Sequence, residues 1–393
     1  MSDSPYPDKI DFDTIDVDRL RRIGSVKWTA NGDRLGAFIA EMDFGAAPPI
    51  TEALHRTVDD GLFGYLPDQL AASMSRACAG WQADAYGWQV DPGRIHPLPD
   101  VLKGLEIAIQ HFSRPGSPVI MPVPAYMPFL LLPPALEREI IRVPLLEQDG
   151  RYGFDLDALG RAFEQGGDLV VLCNPYNPVG RVFSAEELTA FSEVVAAHGG
   201  QVFADEIHGP LVYPGARHIP YASISETAAG HTLTATAASK AWNLPGLKCA
   251  QLIINNDADA KIYAGISPFL THGASNPGVV ATIAAYTAGK PWLDSVVDYL
   301  DGNRRLLAEL LADELPMINF TPPEGTYIGW LDCRDLGLES SPAEFFAEHA
   351  GVALTDGAAC GTPGFARMIF ATPRPILTEM VHRMADAVRT HLR

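Results

Sequence analysis

The segment from residue 168 to residue 204 limits the possible folds of this chain most strongly. Residues 168–173 form a short apolar run with the length of a buried strand. Ser184 and Glu187 have the spacing of a capping box, so a helix is expected to begin there and to end at a Gly-Gly pair. Residues 201–204 form a second apolar run. Strand, helix and strand in this order predict a βαβ unit, which requires a parallel sheet covered by helices.

The same alternation extends on both sides of this unit. Further strand-like runs lie at 232–236 and 250–255, and helical patterns lie at 50–61, 70–86 and 101–112. We therefore predict an α/β fold whose large domain, residues 50–290, contains a mostly parallel sheet covered by helices.

Helices and short strands are mixed in the last quarter of the chain. The predicted segments are a helix at 292–315, a strand at 326–331, a helix at 342–350, a strand at 366–370 and a terminal helix at 376–392. We predict that residues 291–393 combine with residues 1–49 in a smaller α+β domain.

The composition is that of an acidic globular protein. Of the 393 residues, 47% are apolar and 20% are charged, and the net charge is −19 at pH 7. Most of the surface would repel a phosphate polymer or an anionic membrane, so we expect neither nucleic acid nor membrane as a partner. The longest uncharged stretch, residues 119–136, contains several prolines, which argue against a membrane helix.

The cysteines and the start of the chain predict the compartment. The five cysteines are widely spaced and form no Cys-x-x-Cys pair, which argues against a disulfide framework or a zinc ribbon. The N-terminal residues are polar and acidic and lack the basic and apolar regions of a signal peptide. We therefore expect a cytoplasmic protein.

Polar side chains follow three successive predicted strands. Asn174 and Asn177 follow the first strand, Asp205 and His208 the second, and Lys240 the third. The carboxyl ends of parallel strands meet at one edge of a sheet, where α/β proteins bind ligands. Lys240 is either an ordinary surface lysine or, among small residues at a strand end, a partly desolvated amine that attacks carbonyl groups. Its neighbours at the other strand ends favour the second interpretation.

These groups match the requirements of pyridoxal 5'-phosphate (PLP). The aldehyde of this cofactor needs a lysine, its ring nitrogen a carboxylate and its ring oxygen a neutral donor. Its phosphate needs a helix N-terminus, which the helix at 101–112 would supply, and a cation, which Lys248 would supply. Tyr126 would cover the ring face.

The chain resembles the fold-type I PLP enzymes of the class I/II aminotransferase superfamily, and within it the cystathionine β-lyase-like (C–S lyase) branch. The matching motifs cover nearly the whole chain in the family's order. They are Glu-Met-Asp-Phe (41–44), Gly-Leu-Phe-Gly-Tyr (61–65), Cys-Asn-Pro-Tyr-Asn-Pro-Val-Gly-Arg-Val-Phe (173–183), Asp-Glu-Ile-His (205–208), Ala-Ser-Lys-Ala-Trp-Asn-Leu-Pro-Gly-Leu-Lys (238–248), Glu-Gly-Thr-Tyr-Ile-Gly-Trp-Leu-Asp-Cys-Arg (324–334) and Gly-Phe-Ala-Arg (364–367).

The resemblance implies roles around the cofactor ring. Lys240 would bind the aldehyde as a Schiff base and then remove the proton from the substrate Cα. Asp205 would pair with the pyridinium nitrogen, and Asn177 would donate a hydrogen bond to the ring O3′. Tyr126 would stack on the ring.

The resemblance also implies how the phosphate is held. The backbone amides of Val101 and Leu102 would bind it together with Ser239 and Lys248. Tyr65 would reach the phosphate or the reacting centre of a neighbouring subunit, which implies a homodimer.

Substrate-side roles follow from the same resemblance. Arg367 would hold the substrate α-carboxylate, a bidentate task suited to a guanidinium group, and Asp43 would lie on the substrate side. His208 would lie near the ring, with a buried structural histidine as the alternative. The acidic and histidine residues at 205–208 and His218 do not have the spacing of a helical zinc motif, so we expect no metal site.

Four positions depart from the family pattern. Ile369 stands where the branch commonly has Asn, Cys360 where an aromatic residue is common, and Tyr176 where His is common. Asp100 places a negative charge beside the expected phosphate site unless it acts as a helix N-cap.

The resemblance predicts a PLP-dependent carbon–sulfur β-lyase. It would cleave an L-cysteine S-conjugate, such as cystathionine, to a thiol, pyruvate and ammonia. An aminotransferase acting on an L-amino acid shares every cofactor residue and is the alternative. A regulatory or binding protein that retains the fold is a candidate from another class. The cellular role of such a protein would remain intact in a Lys240→Ala variant.

Overall fold

The computed structural model describes residues 10–392. The first nine residues, on which the expectation of no signal peptide depends, lie outside this range. In chain order the helices are α1 Val17–Ile23, α2 Val26–Thr29, α3 Pro48–Asp59, α4 Asp68–Tyr86, α5 Val101–His111, α6 Met127–Ala135, α7 Leu156–Glu164, α8 Ala185–Ala197, α9 Glu226–Gly230, α10 Asp257–Ala264, α11 Pro268–Thr271, α12 Asn276–Ala288, α13 Lys290–Glu314, α14 Pro342–His349 and α15 Arg374–His391. The strands are β1 Leu35–Gly36, β2 Ile95–Leu98, β3 Val119–Val123, β4 Ile140–Pro144, β5 Leu146–Gln148, β6 Arg151–Gly153, β7 Leu169–Cys173, β8 Gln201–Asp205, β9 Thr232–Thr236, β10 Ala250–Ile254, β11 Asn319–Phe320, β12 Ile328–Asp332, β13 Val352–Ala353, β14 Thr355–Asp356 and β15 Phe365–Ile369.

The chain divides into two compact units. The large unit consists of Ala46–Lys290 and the short segment Glu324–Thr326. The small unit consists of the chain up to Gly45, Pro291–Pro323 and the chain from Tyr327 onward. A cofactor-binding role for residues 50–290 stays a prediction.

The large unit is built on a seven-stranded sheet in the order β2-β10-β9-β8-β7-β3-β4. The five strands from β9 to β4 are parallel, β10 runs antiparallel to β9, and the edge strand β2 runs antiparallel to β10. The predicted α/β fold with a mostly parallel, helix-covered sheet is therefore confirmed.

The predicted βαβ unit is present as β7, α8 and β8. Ser184 accepts a hydrogen bond from the Glu187 amide, and the Glu187 carboxylate accepts one from the Ser184 amide, so the predicted capping box is complete. Each residue of β7 is buried. Because a strand covered by helices on both faces has no solvent side, its sequence is continuously apolar rather than alternating.

Close packing between a helix and the sheet sets the position of α5. A Cβ atom on Gly104 would lie 3.3 Å from the Phe203 ring of β8, so a side chain at this position would require the ring to shift slightly. The hydrophobic core of the large unit lies along this sheet, where α5, α7 and α8 bury their apolar residues.

The uncharged stretch at 119–136 forms β3 and α6, and Pro133 and Pro134 lie inside the helix. In the part of the chain that the structure describes, no helix combines the length and apolarity that a membrane span requires.

The small unit contains a four-stranded antiparallel sheet in the order β11-β12-β15-β14. Helices α13, α14 and α15 belong to the same unit, as does the parallel pair β1-β13. In the register of the sheet, Arg367 of β15 lies opposite Trp330 of β12 and Thr355 of β14. Arg367 is thereby placed in the middle of the sheet.

Candidate active site

The ends of three neighbouring parallel strands bring the candidate residues of the large unit together. Beyond the end of β7, the Asn174 amide donates to the Asp205 carbonyl oxygen at 3.0 Å. Beyond the end of β8, the Glu206 amide donates to the Ala235 carbonyl oxygen at 2.8 Å. The loops after β7, β8 and β9 therefore leave the sheet side by side, as parallel pairing requires.

Asp205 is the most strongly perturbed acid of this edge. Its side chain is buried, with Oδ1 accepting from the Ile207 amide at 3.2 Å and Oδ2 3.9 Å from the Cys173 thiol. Burial raises the pKa of Asp205 to about 7, and the positive charge of Lys240 acts in the opposite direction. Asp205 is therefore a carboxylate whose negative charge lacks full compensation in this dry environment.

Lys240 lies in a tight turn after β9. The Trp242 amide donates to the Ala238 carbonyl at 3.0 Å, and the Leu244 amide donates to the Ser239 carbonyl at 2.9 Å. Ser239 and Lys240 are half-buried. Small buried residues surround the turn in sequence, so the lysine stem is held at the strand end rather than on an open surface.

Trp242 anchors this turn and was not singled out by sequence reasoning. Its ring is buried, and its indole N–H donates to the Gly289 carbonyl at 3.0 Å. It also contacts Trp81 and Tyr286 edge-on, with ring centroids 5.0 and 5.6 Å apart. In the sequence, Trp242 stands out only as a member of the motif at 238–248, two residues after Lys240.

The loop after β7 holds the buried Asn177. The Tyr176 amide donates to the Arg181 carbonyl at 2.8 Å, and the Phe183 amide donates to Asn174 Oδ1 at 3.1 Å. Asn174 thus shapes the loop. Tyr176, one of the departures from the family pattern, is buried and donates its hydroxyl to the Pro122 carbonyl at 2.9 Å.

The N-terminus of α5 carries the residues predicted to bind phosphate. Asp100 is the N-cap, and its Oδ1 accepts from the Lys103 amide at 2.9 Å. Its Oδ2 lies 3.1 Å from the Lys248 ammonium group. Asp100 therefore caps the helix and also holds Lys248 next to the first turn, where Val101 and Leu102 stand.

Other candidates of the large unit differ in exposure. Tyr126 is half-buried before α6 and meets Phe129 edge-on at 5.3 Å. His208 is buried. Tyr65 is fully exposed. Across residues 10–392, no three histidine, cysteine or acidic side chains are grouped closely enough to hold a metal ion.

Arg367 is a buried guanidinium of the small unit. Its Nη2 donates to the Phe38 carbonyl at 2.9 Å and to the Thr355 hydroxyl at 3.3 Å. The Thr355 hydroxyl donates to the same Phe38 carbonyl at 2.7 Å. These contacts orient one edge of the guanidinium group.

Two departures from the family pattern lie near Arg367. Cys360 is buried, which raises the pKa of its thiol to about 11, and the positive charge of Arg367 opposes that shift. Ile369 is also buried, and its amide donates to the Ala37 carbonyl at 2.8 Å. The residues at these positions therefore offer a neutral thiol and an apolar side chain.

Asp43 is held by residues of its own unit. Its Oδ2 lies 2.8 Å from the Lys27 ammonium group, and its Oδ1 accepts from the Trp28 indole N–H at 2.8 Å. Lys27 and Asp43 are both buried. A direct contact of Asp43 with a substrate stays a prediction, and the Lys27 ammonium group that binds Asp43 also donates to the Glu41 carbonyl at 3.1 Å.

Comparison with known proteins identifies the family. The family described as aminotransferase class I and II matches residues 39–384. This chain belongs to that family. Its members named below share the complete architecture of the chain rather than a single motif.

Three relatives illustrate the similarity of this class I and II family member. Cystathionine beta-lyase of Corynebacterium glutamicum is 37% identical over 95% of this chain and 99% of its own length. The structure of a putative PLP-dependent beta-cystathionase from Corynebacterium diphtheriae is 42% identical over 95% of this chain and 98% of that chain, with a TM-score of 0.91. A PLP-bound C–S lyase from Staphylococcus hominis is 26% identical over 97% and 98% of the two chains, with a TM-score of 0.89.

Proposed function

We propose that this protein is a PLP-dependent carbon–sulfur β-lyase of the cystathionine β-lyase type. It cleaves L-cysteine S-conjugates, such as cystathionine, and with water yields a thiol, pyruvate and ammonia. One observation carries the proposal: the buried Asp205 and the half-buried Lys240 interact at one edge of the sheet in a chain that is 37% identical to a cystathionine beta-lyase over 95% of its length.

The residues of the large unit fit PLP. A carboxylate whose pKa burial raises to about 7 is suited to a cationic partner, and a protonated pyridine nitrogen is such a partner for Asp205. The first amides of α5, at Val101 and Leu102, have no acceptor within the helix and suit a phosphate. Lys248 stands beside them because Asp100 holds it there.

When bound, PLP supplies an aldehyde that links to amines and a ring that withdraws electrons from the carbon next to the amine. Lys240 would hold the aldehyde and, once displaced by the substrate amine, take the proton from the substrate Cα. Asp205 would hold the positive charge at the ring nitrogen. Asn177 would donate to the ring oxygen, and Tyr126 would cover the ring.

Further residues would hold the phosphate and the substrate. The Ser239 hydroxyl would complete the phosphate site, and His208 would pack near the ring. Arg367 would hold the α-carboxylate, since a guanidinium edge accommodates both carboxylate oxygens. Asp43 would lie on the substrate side.

The decisive experiment supplies cystathionine to the PLP-loaded protein with no keto acid present. A lyase releases pyruvate and free thiol in equal amounts, whereas the Lys240→Ala variant releases neither. Transfer of the amino group to an added keto acid, with no pyruvate formed from cystathionine, identifies an aminotransferase instead. Retention of the cellular role by Lys240→Ala would indicate a binding protein.

We also propose that the protein is a homodimer with an active site shared between subunits. Tyr65 is fully exposed, and Phe63 and Phe269 are exposed by 69% and 84%. The Asn276 side-chain amide donates to the Gly64 carbonyl at 2.9 Å, which ties the segment of Phe63 and Tyr65 to the start of α12. These exposed aromatic side chains support coverage by a second copy.

A cytoplasmic location is part of the same proposal. The five cysteines are all buried and unbridged, which fits a reducing compartment. The partner that we propose is a small molecule, the amino-acid substrate. The acidic net charge of −19 argues against nucleic acid as a partner.

A further inference from the structure

We propose that His218, acting through Glu206, is a positioning residue that balances the charge around Asp205 and thereby sets the protonation of the bound cofactor. This inference rests on the proposed PLP chemistry. It assigns a role to two buried residues that the reaction itself does not use.

Glu206 places a second carboxylate directly after Asp205. Its backbone is fixed by the hydrogen bond to the Ala235 carbonyl, and its side chain is buried. Oε1 accepts from the Tyr221 amide at 2.7 Å, and Oε2 lies 3.3 Å from His218 Nε2. The side chains of Glu206 and His218 are each only 2% exposed.

His218 is held firmly against this carboxylate. The Tyr86 ring meets it edge-on, with centroids 4.9 Å apart and planes at 79°. On another side, a Cβ atom on Gly209 would lie 3.0 Å from the imidazole, so only glycine fits there without a shift. A buried carboxylate is costly unless hydrogen bonds or a cation compensate it, and the His218 imidazole is the ring within hydrogen-bond distance of Glu206.

Of this pair, Glu206 acts directly on Asp205. Glu206 and Lys240 are the charged groups that act on Asp205, with Glu206 raising and Lys240 lowering its pKa. The Cys173 thiol also faces Asp205, and Tyr86 faces His218. Burial raises the pKa of both of these groups well above their ordinary values, so both stay neutral.

The balance therefore depends on whether Glu206 is compensated. With a positive charge on His218, the pair is close to neutral, and Asp205 is left as the negative group for the ring nitrogen. Without a positive charge on His218, Asp205 and Glu206 are two adjacent negative charges. Their combined charge would favour protonation of neighbouring groups, including the cofactor that Lys240 would hold.

The test follows the visible absorbance of the PLP-loaded protein from about pH 5.5 to about pH 9.5. His218→Gln should raise the pH midpoint of the absorbance change, and Glu206→Gln should lower it, each by about half a unit or more. The double variant should return close to the wild-type midpoint. Folding of each variant is checked by circular dichroism.

His231→Gln is the matched control. His231 is buried and bonds the Tyr221 hydroxyl at 2.9 Å, but burial lowers its pKa to about 4, so it carries no charge at neutral pH. Its variant should leave the midpoint unchanged. If one of the two single variants does not fold, the other still gives the sign of the shift. Its midpoint is then compared with those of the double variant and of His231→Gln.

The outcomes separate this inference from the proposed function. Shifts of the same sign from both single variants, or midpoints that do not move, would overturn the charge-balancing role of His218. If the wild-type protein forms no visible band with PLP, the proposed function fails instead.

Discussion

Asp205 shows what this site demands of a single residue. A carboxyl group with an ordinary pKa near 4 is placed where burial raises its pKa to about 7. Without a cofactor, such a residue opposes folding whenever it is ionised, because water no longer solvates its charge. Its presence is explained by a ligand that supplies the missing positive charge.

We predict an unusual pH dependence for the cofactor-free protein. Between pH values of about 4 and 7, the folded Asp205 retains a proton that the unfolded chain has released, so stability should fall as the pH rises through this window. The full effect of a shift of about three units is roughly 4 kcal/mol. Asp205→Asn removes this titration and should therefore be more stable than the wild type at pH 8, with a smaller advantage at pH 5.

Urea denaturation of both proteins without cofactor measures this difference. A stability gap that is independent of pH would contradict the raised pKa of Asp205. Added PLP should reverse the order at pH 8, because it binds the wild type more tightly than the variant.

At the scale of elements, a short segment from late in the sequence braces the loop that carries Asn177. Glu324 belongs to the large unit, and its Oε2 accepts from the Val182 amide at 2.8 Å. Its Oε1 accepts from Arg181 and from Arg151, each at 3.0 Å. Arg181 also holds Glu187, the capping-box residue of α8, so one buried guanidinium links the loop, the helix and the late segment.

Two arginines that contact the same oxygen should therefore differ in importance. The Arg181 side chain is 5% exposed and that of Arg151 is 61% exposed. Arg181→Met removes the buried cation that pairs with Glu187 and Glu324. The substitution should lower the free energy of unfolding by about 3 kcal/mol. Arg151→Met, the matched control, should lower it by less than about 1 kcal/mol.

Urea denaturation measures both changes, and a PLP titration measures whether the loop of Asn177 still supports the cofactor. We expect weaker PLP binding only for Arg181→Met. Equal effects of the two substitutions would show that burial does not govern this network.

At the scale of the whole molecule, the proposed homodimer explains why an aromatic residue of a family motif is exposed in the single chain. Tyr65 is fully exposed, although its motif carries the family resemblance. A symmetric dimer would place Tyr65 of one subunit at the site of Lys240 of the other, and each subunit would complete its partner's site.

Subunit mixing tests this arrangement. Tyr65→Phe and Lys240→Ala should each be nearly inactive, but a mixture refolded from equal amounts should recover about a quarter of wild-type activity, since half of the dimers are hybrids with one intact site. Light scattering checks that both variants are dimers. Activity no greater than that of the separate variants would place Tyr65 and Lys240 of each site in the same chain.

Local patterns in the sequence predicted the framework well. The capping box at Ser184, the buried runs of β7 and β8 and the strand before Lys240 all lie where the sequence indicated. Apolar runs, caps and glycine stops act over a few residues, so their effect can be read from neighbours in the chain. Parallel pairing then implied that the polar residues after these strands would meet at one edge.

The partners of the charged side chains emerged only from the folded chain. Asp100 with Lys248, Asp43 with Lys27 and Arg181 with Glu324 are separated by loops and whole elements in sequence. Residue type alone does not say which oxygen faces which cation, since that depends on where packing places distant segments. The local sequence patterns thus define the sheet of this chain and the residue types that its cofactor chemistry needs. Long-range packing defines which charged side chains are buried, which are paired and which remain for a ligand.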